Sequence, residues 1–292
     1  MEESKKIIKE VSIVIPCFNE SEVIHDTINS TKLVLDRMNL DSYEIIVVDD
    51  GSDDKTGETA KKCGAKVIFN PNNVGYGRSL KNGINAANFD TIVIFDGDGT
   101  YPIDKIPNLM EEYQKNFDMV VGERKGIYYW ESRSKKILRI ILKLLVEFST
   151  GTKIADINSG FRVFSKNTIA KYFNNLSDVF SFTTTATLSY ILTKRHISYV
   201  PIEYQKRVGK TKVRFIRDSL RTLQSILQTI LIYNPIKIFI VFSLFTLILS
   251  FLYISFGVGF GHYASIWIGL VGIFAAIIIL CTGFLAYLIS RK

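Results

Sequence analysis

The sequence of 292 residues predicts an α/β fold, with a mostly parallel sheet and flanking helices, that leads into a two-helix transmembrane hairpin. Two observations predict this class. Short apolar runs alternate with helical patterns in the first part of the chain, an order typical of a parallel sheet covered by helices. Near the C-terminus, two long apolar runs contain no acidic residue, and each is long enough to cross a hydrocarbon core of about 30 Å.

The predicted elements alternate in chain order. The strands are "VSIVIP" (11–16), "YEIIVVDD" (43–50), "AKVIFN" (65–70) and "TIVIFD" (91–96), followed later by "FDMVVGER" (117–124) and "ISYVPIEYQKR" (197–207). Helices are expected near 21–38, 54–62 and 76–88. Open sheets of this kind bind ligands just beyond the carboxyl ends of their strands, so the polar turns there are the candidate site.

Two amphipathic helices are predicted at 134–149 and 214–232, each with basic and polar side chains opposite an apolar face. Such helices either pack on a protein core or lie in a bilayer interface. The second leads directly into the first long apolar run, which favours the interface for that helix, whereas both locations stay open for the first. The chain is therefore divided into a cytoplasmic domain (1–212), an interfacial helix (213–235) and a membrane segment (236–292).

The membrane segment is expected to hold two spans, at about 236–256 and 266–289. Lys237, Arg291 and Lys292 lie at the outer ends of this hairpin, and the link 257–265 contains no Lys or Arg. By the positive-inside rule, the protein is expected to be an integral membrane protein with the catalytic domain and both termini in the cytoplasm. The N-terminus lacks the apolar core of a signal peptide. Two buried core helices are the alternative, which the scarcity of charge disfavours.

The net charge and the cysteine content indicate which kinds of ligand the protein is expected to bind. The net charge is +8. Subtracting the three basic residues of 236–292 from 36 leaves 33 against 28 acids, or +5, for the rest of the chain. A mildly basic body beside a bilayer suits anionic lipids or phosphate ligands, and the absence of a recognition motif disfavours nucleic acid. The three cysteines form no CxxC pair and suggest neither disulfides nor a zinc site.

Two carboxylates, Asp96 and Asp98, end the strand at 91–96 in the turn "DGDGT". Carboxylate oxygens suit Mg²⁺ or Mn²⁺, and a cation held between them can bind a diphosphate. Aspartates in turns also cap helices or accept hydrogen bonds from their own backbone, so the spacing alone leaves both interpretations open. Their position after a buried strand favours the metal site.

Further polar turns are expected at the same edge of the sheet. "PCFNES" (16–21) follows the first strand and "VVDDGSDDKT" (47–56) follows the second. Asp50 is placed to accept hydrogen bonds from a base or a ribose, and at least one neighbouring residue is expected to cap a helix. The glycine-rich "NNVGYGRSLKNG" (72–83) matches neither a P-loop nor a dinucleotide fingerprint.

Together these segments resemble family 2 glycosyltransferases of the GT-A fold, and within them the polyprenyl-phosphate glycosyltransferases typified by dolichyl-phosphate mannose synthase. The resemblance covers about residues 10–235. It rests on seven segments: "VSIVIPCFNES", "EIIVVDDGSDDKT", "NVGYGRSLKNG", "DGDGTYP", "VVGER", "DINSGFRVFSK" and "SFTTTATLSYILTKRHISYVPIEYQKRVGKTKVR". It implies transfer of a sugar, with inversion, from a nucleotide-diphosphate donor such as GDP-mannose or a UDP-hexose to the phosphate of a membrane polyprenol or dolichol.

The resemblance also implies roles for individual residues. The nucleotide sugar would be bound by Pro16, Asn19, Glu20, Asp50, Gly75, Gly77 and Asp96, and the metal, Mg²⁺ or Mn²⁺, by Asp96 and Asp98. Asp98, Asp156 and Arg207 would be catalytic. The cations that offset repulsion between lipid phosphate and diphosphate would be Arg124, Arg162, Lys206, Arg207, Lys210 and Lys212. Some relatives read D-A-D-x-Q where this chain has Gly97 and Thr100, so the resemblance names neither the third metal ligand nor the sugar.

Two alternatives stay open at this stage. The chain could extend a lipid-linked glycan, although it lacks the Q-x-x-R-W motif and the additional spans of processive synthases. From another class, it could be a noncatalytic membrane anchor that keeps the fold. The expected partners are the nucleotide-sugar donor, the polyprenyl phosphate and the bilayer, and a homo-oligomer is compatible with the sequence.

Overall fold

The computed structural model describes residues 6–128, 133–207 and 215–290. Within them lie seven strands and ten α-helices. The strands are β1 (Glu10–Cys17), β2 (Ser42–Asp49), β3 (Lys66–Phe69), β4 (Thr91–Ile94), β5 (Met119–Lys125), β6 (Arg162–Ser165) and β7 (Ile197–Glu203). The helices are α1 (Ile24–Asp36), α2 (Thr56–Lys62), α3 (Tyr76–Ala86), α4 (Ile106–Tyr113), α5 (Arg133–Thr150), α6 (Lys166–Ala170), α7 (Phe182–Leu192), α8 (Phe215–Tyr233), α9 (Pro235–Phe260) and α10 (Tyr263–Ser290).

The strands form one sheet in the order β3-β2-β1-β4-β6-β5-β7. Neighbouring strands are parallel except at β6, which is antiparallel to both β4 and β5. The Val and Ile residues of strands β1 and β4 are all buried, as expected for a parallel sheet covered on both faces. The mostly parallel α/β fold predicted from the sequence is therefore confirmed.

Strand β6 is an addition to the predicted elements. Its four residues, Arg162–Ser165, are all buried, and they insert an antiparallel strand into an otherwise parallel sheet. Two predicted strands are also shorter than expected. Strand β4 ends at Ile94, so Asp96 and Asp98 lie in the turn beyond it. Strand β7 ends at Glu203, which leaves residues 204–207 free to turn toward the same edge.

The described chain divides into two compact units. The first comprises Met1–Glu147 and Thr152–Ile226 and contains the sheet, whereas the second comprises Phe148–Gly151 and Leu227–Lys292. Both predicted amphipathic helices are present, as α5 and α8. In the second unit, α9 and α10 are long and apolar enough to cross a membrane, with mean hydropathies of 2.5 and 2.7.

The helices extend beyond the predicted spans into the link 257–265, because α9 continues to Phe260 and α10 begins at Tyr263. Only Gly261 and His262 join the helices, and Gly261 takes the left-handed conformation with φ of 72°. At the junction, the His262 N–H donates to the Gly257 carbonyl at 2.9 Å and the Ser265 N–H donates to the His262 carbonyl at 3.0 Å.

Small residues bring α9 and α10 close together. A Cβ on Gly269 would lie 2.6 Å from the Ser250 carbonyl oxygen, and one on Gly283 would lie 2.4 Å from Cβ of Phe239. Ser243 Oγ also donates a hydrogen bond of 2.8 Å to the Ala276 carbonyl across the helix pair. Close backbone approach and such polar contacts are the usual means of helix association in a bilayer.

The substitution Gly283→Ala tests this packing. Its methyl group would meet the stem of Phe239 rather than a flexible tip, so we expect a loss of about 1–3 kcal/mol, measured as a lower midpoint of thermal unfolding in detergent. Gly259→Ala is the matched control, because no heavy atom lies within 4 Å of its Cβ position. Equal midpoints for the two variants would contradict the packing assignment.

Candidate functional site

The turns after β1 and β2 are joined by hydrogen bonds. Ser52 Oγ accepts from the Asn19 N–H at 2.9 Å, and Asn19 Oδ1 accepts from the Asp53 N–H at 2.8 Å. Asn19 adopts a left-handed φ of 53°, which a short polar side chain tolerates better than most. Pro16 is buried at the end of β1, where it pairs with Val48. The predicted nucleotide residues of β1 therefore lie at the carboxyl edge of the sheet.

Asp50 holds the glycine-rich segment through its carboxylate. Oδ1 accepts from Asn70 Nδ2 at 2.9 Å and from the Val74 N–H at 3.0 Å, and Oδ2 accepts from the Gly75 N–H at 3.0 Å. The side chain is buried. In this structure Asp50 thus orients the backbone at the start of α3, and its contact with a base or ribose stays a prediction.

Gly75 and Gly77 lie against the chain segment before α7. A Cβ on Gly75, whose φ is 105°, would be 2.7 Å from the Asp178 carbonyl oxygen, and one on Gly77 would be 2.2 Å from the Ser177 carbonyl oxygen. Lys81 secures the same segment by donating to the Leu176 carbonyl and to Asp178 Oδ1, each at 2.6 Å. The close approach seen at these glycines is therefore made by protein backbone.

Asp96 and Asp98 follow β4 and are supported by different elements. Tyr76 of α3 donates its hydroxyl to Asp96 Oδ1 at 2.9 Å. Thr100 donates both its backbone N–H, at 3.1 Å, and its hydroxyl, at 2.6 Å, to Asp98 Oδ1. Burial, followed by repulsion from Asp98, raises the pKa of Asp96 to about 7. The pair is a site of concentrated negative charge.

Arg207 brings positive charge to these acids from the turn after β7. Its Nη2 donates to Glu20 Oε1 at 3.0 Å, and its Nη1 lies 3.5 Å from Asp98 Oδ2. The chain reaches this position because the Gln205 N–H donates to the Thr100 carbonyl at 2.9 Å. Lys206 is exposed, and Lys210 and Lys212 lie outside the described residues.

Asp156 and Arg124 form a buried, two-pronged ion pair. Arg124 Nε donates to Asp156 Oδ2 at 2.8 Å and Nη2 donates to Oδ1 at 2.9 Å. Backbone N–H groups of Arg124 and Asn158 donate to the same carboxylate. Burial opposes ionisation, but the guanidinium and these donors outweigh it and hold the pKa of Asp156 below its usual value.

Arg162, predicted as a phosphate ligand, occupies a different environment. It is the first residue of β6 and has no exposed surface. Its guanidinium donates to the Ser159 carbonyl at 2.7 Å, the Ile157 carbonyl at 2.8 Å and Thr187 Oγ1 at 2.8 Å. A side chain enclosed in this way cannot reach a phosphate without local unfolding. The structure corrects the prediction, and Arg162 instead fixes the bend at 157–159.

Three residues that the sequence reasoning did not select contribute to the site. Tyr76 supports Asp96 and stacks on Phe180, with ring centroids 5.9 Å apart. A Cβ on Gly160 would lie 2.7 Å from Asp96 Oδ1 and 3.0 Å from the Tyr76 hydroxyl. Thr100 fixes Asp98. All three lie within the segments on which the family resemblance rests. Their place in those segments could have identified them, whereas their residue types alone could not.

The acids fit a divalent cation that is shared with a diphosphate. Asp96 and Asp98 supply hard oxygen ligands, and their mutual repulsion would be relieved by a cation. Among the described residues there is no cluster of three or more His, Cys, Asp or Glu side chains that could hold a metal ion. The remaining ligands would have to come from the diphosphate and from water, as is usual for Mg²⁺.

Comparisons with known proteins agree with this fold. Residues 12–173 match the family described as glycosyl transferase family 2. A dolichyl-phosphate hexose transferase of Haloferax volcanii is 30% identical over 212 residues, which cover 70% of this chain and 86% of that protein. An undecaprenyl-phosphate 4-deoxy-4-formamido-L-arabinose transferase of Salmonella choleraesuis is 25% identical over 247 residues, 79% of this chain and 70% of that protein.

A solved structure shares the fold at lower identity. Glucosyl-3-phosphoglycerate synthase from Mycobacterium tuberculosis, in complex with Mn²⁺, UDP and glucosyl-3-phosphoglycerate, superimposes with a TM-score of 0.61 at 19% identity. The match covers 76% of this chain and 80% of that one. The GT-A fold expected from the sequence is confirmed. The chain belongs to glycosyl transferase family 2.

Tyr76→Phe tests the support of Asp96. The variant keeps the ring and its stack on Phe180 but removes the donor to Asp96, and loss of a hydrogen bond to a charged group should weaken nucleotide binding in the presence of Mn²⁺ by about tenfold. Isothermal titration measures this directly. Tyr172→Phe is the control, since it removes a hydroxyl contact to Thr193 elsewhere in the fold. Similar affinities for both variants would remove Tyr76 from the site.

Proposed function

We propose that this protein transfers a sugar from a nucleotide-diphosphate donor to the phosphate of a membrane polyprenol, giving a polyprenyl-phosphate sugar. The observation that carries the proposal is the acid pair Asp96 and Asp98 with Arg207 at its side, placed at the ligand-binding edge of a family 2 chain. The names of two relatives support the acceptor class, since both are transferases acting on a dolichyl or undecaprenyl phosphate.

The donor would bind along the carboxyl edge of the sheet. The nucleotide side would be formed by Pro16 at the end of β1, by Asn19 and Glu20 beyond it, and by Asp50 with Gly75 and Gly77 at the start of α3. Asp96 would form the ribose and phosphate side. A divalent cation, Mg²⁺ or Mn²⁺, would be held by Asp96 and Asp98. It would neutralise the negative charge that develops on the leaving diphosphate.

Arg207 supplies further positive charge at the reacting centre. Its guanidinium lies beside Asp98. From there it can donate charge-assisted hydrogen bonds to the diphosphate and stabilise the negative charge that develops on it. An acceptor phosphate is largely ionised near neutral pH, because its second pKa is about 6. A strong general base is therefore not required, and the inverting attack depends mainly on orientation and on relief of repulsion between the two phosphate groups.

The other predicted catalytic and phosphate-binding residues differ in their surroundings, and their proposed roles differ accordingly. Arg124 and Asp156 act as a pair, in which Asp156 orients the guanidinium through its two-point contact. Lys206 is exposed and would meet the acceptor phosphate, together with Lys210 and Lys212 of the adjoining basic segment. Arg162 is left out of the phosphate-binding set because it is enclosed.

We further propose a membrane arrangement in which residues 1–212 form the cytoplasmic domain, 213–235 lie at the bilayer interface and 236–292 span the membrane. Helices α9 and α10 supply the spans, and Lys237, Arg291 and Lys292 favour cytoplasmic ends. Helix α5 exposes Ile140 and Leu144 next to Lys143, a pattern that suits a bilayer interface. Both locations are open to direct tests.

Transfer of radiolabel tests the function. Purified protein in detergent is given a panel of GDP- and UDP-sugars, a polyprenyl phosphate, and Mg²⁺ or Mn²⁺, and the organic phase is counted. We expect label from one donor, lost with EDTA, and a loss of at least about 100-fold in Asp98→Ala. Asp104→Ala, an exposed acid nearby, is the control.

The alternatives give other outcomes. Label that enters only a lipid carrying a preformed glycan would indicate a glycan-extending transferase. Nucleotide binding without transfer to any acceptor would indicate a noncatalytic anchor. Full activity in Asp98→Ala would remove the metal-site assignment.

The interfacial placement of α5 is tested with a fluorescent probe on a cysteine at Leu144, in a background with Cys63 and Cys281 replaced by Ser. In bilayers that contain brominated lipid, the probe should be quenched because its side chain would lie among acyl chains. A probe at Leu33, which is 58% exposed on α1, is the control. Equal quenching at both positions, or none at either, would contradict the placement.

A further inference from the structure

The two carboxylate oxygens of Asp98 differ in their partners. Oδ1 accepts both the N–H and the hydroxyl of Thr100, at 3.1 and 2.6 Å. Oδ2 faces Arg207, whose Nη1 is 3.5 Å away. Because two donors already occupy Oδ1, the oxygen with free lone pairs is Oδ2. A cation approaching Asp98 therefore meets the guanidinium of Arg207 at the oxygen it needs.

The position of Arg207 is set by two acids rather than by one. Its Nη2 donates to Glu20 Oε1 at 3.0 Å while Nη1 faces Asp98, so the guanidinium bridges the turn after β1 and the turn after β4. The Arg207 side chain is 28% exposed, and those of Glu20 and Asp98 are 10% and 7% exposed. Low exposure weakens solvent screening, so the bridge is held more firmly than a surface ion pair.

The bridge is also incomplete. Arg207 Nε is buried and has no hydrogen-bond partner within the described residues. A buried donor without a partner carries a free-energy cost, so this geometry is one that Arg207 can leave for a ligand with more acceptor oxygens. A diphosphate offers several such oxygens and bears negative charge.

We propose that Arg207 competes with the divalent cation for Asp98 Oδ2 and thereby makes the site select the metal–nucleotide complex over the free metal. A free cation must displace the guanidinium and leave it close to a second positive charge. A cation that arrives with a nucleoside diphosphate brings phosphate oxygens to which Arg207 transfers its hydrogen bonds, so the displacement is compensated. The inference rests on the proposed function for the identity of the ligand, but its test needs neither sugar transfer nor lipid.

The test is the affinity of the full-length protein for Mn²⁺ alone, in detergent and phosphate-free buffer, from the loss of the EPR signal of free Mn²⁺. Arg207→Gln should bind Mn²⁺ about fivefold more tightly than the wild type, because the competitor is gone. Lys206→Gln removes the same charge one residue earlier from an exposed side chain and should change the affinity by less than about twofold.

A second titration with saturating GDP or UDP tests the selection. The nucleotide should increase Mn²⁺ affinity in the wild type by a larger factor than in Arg207→Gln, since only the wild type regains a partner for the guanidinium. Arg207→Lys keeps the charge but cannot bridge Glu20 and Asp98 with a planar fork, so its affinity for free Mn²⁺ should fall between those of the wild type and Arg207→Gln.

Equal or weaker binding of free Mn²⁺ by Arg207→Gln, with its thermal midpoint unchanged, would overturn the inference. So would equal tightening in Lys206→Gln, because the effect would then be one of general charge. If Arg207→Gln does not fold, Arg207→Lys decides, and wild-type affinity in that variant would also overturn it. A protein that transfers no sugar but shows the tightening would keep this inference and lose the proposed function.

Discussion

Repulsion between two carboxylates at the end of β4 is the constraint on which the site depends. Asp96 and Asp98 are separated by one residue, and burial together with repulsion from Asp98 raises the pKa of Asp96 to about 7. Each acid requires a donor or a cation from elsewhere in the fold. Tyr76 at the start of α3 serves Asp96, and Arg207 beyond β7 serves Asp98. The site therefore forms only when distant parts of the chain reach the same edge of the sheet.

The antiparallel strand β6 extends this dependence to the other half of the sheet. Because β6 pairs with β4, the segment that precedes it passes directly beside Asp96, and only a glycine fits at position 160. Arg162 donates to two carbonyls of that segment, which fixes its bend at the cost of burying a guanidinium. Arg124 on the neighbouring β5 forms its ion pair with Asp156 instead. The two arginines therefore have different roles. Arg162 holds the backbone of the segment before β6, and Arg124 forms an ion pair.

The sequence predicted the parallel part of the fold well, because β1, β2 and β4 are apolar runs bounded by polar turns. It did not predict β6, since "RVFS" is four residues long and places an arginine in a fully buried position, which hides the apolar pattern. The acids of the candidate site were predicted because they follow a buried strand at the edge of the sheet where such folds bind ligands. The contacts that acids of the site make were not predicted. Tyr76 is 20 residues from Asp96, and Arg207 is 187 residues from Glu20. Whether such residues meet depends on the path of the chain between them. The helices run further than the predicted spans because a glycine near a helix end can also allow close packing. A Cβ on Gly257 would lie 2.6 Å from the Ile266 side chain.

The energetics of the acid pair bear on the choice between an enzyme and an anchor that only keeps the fold. Two partly buried carboxylates that repel each other reduce stability, whereas neutral residues at positions 96 and 98 would remove that repulsion and leave the turn its hydrogen bonds. The surrounding groups reduce the cost without abolishing it, since the pKa of Asp96 stays far above its usual value. An anchor gains nothing from such an arrangement. A transferase gains a place where a cation and a diphosphate bind more strongly than either would alone, which is the property that breaking a sugar–phosphate bond requires.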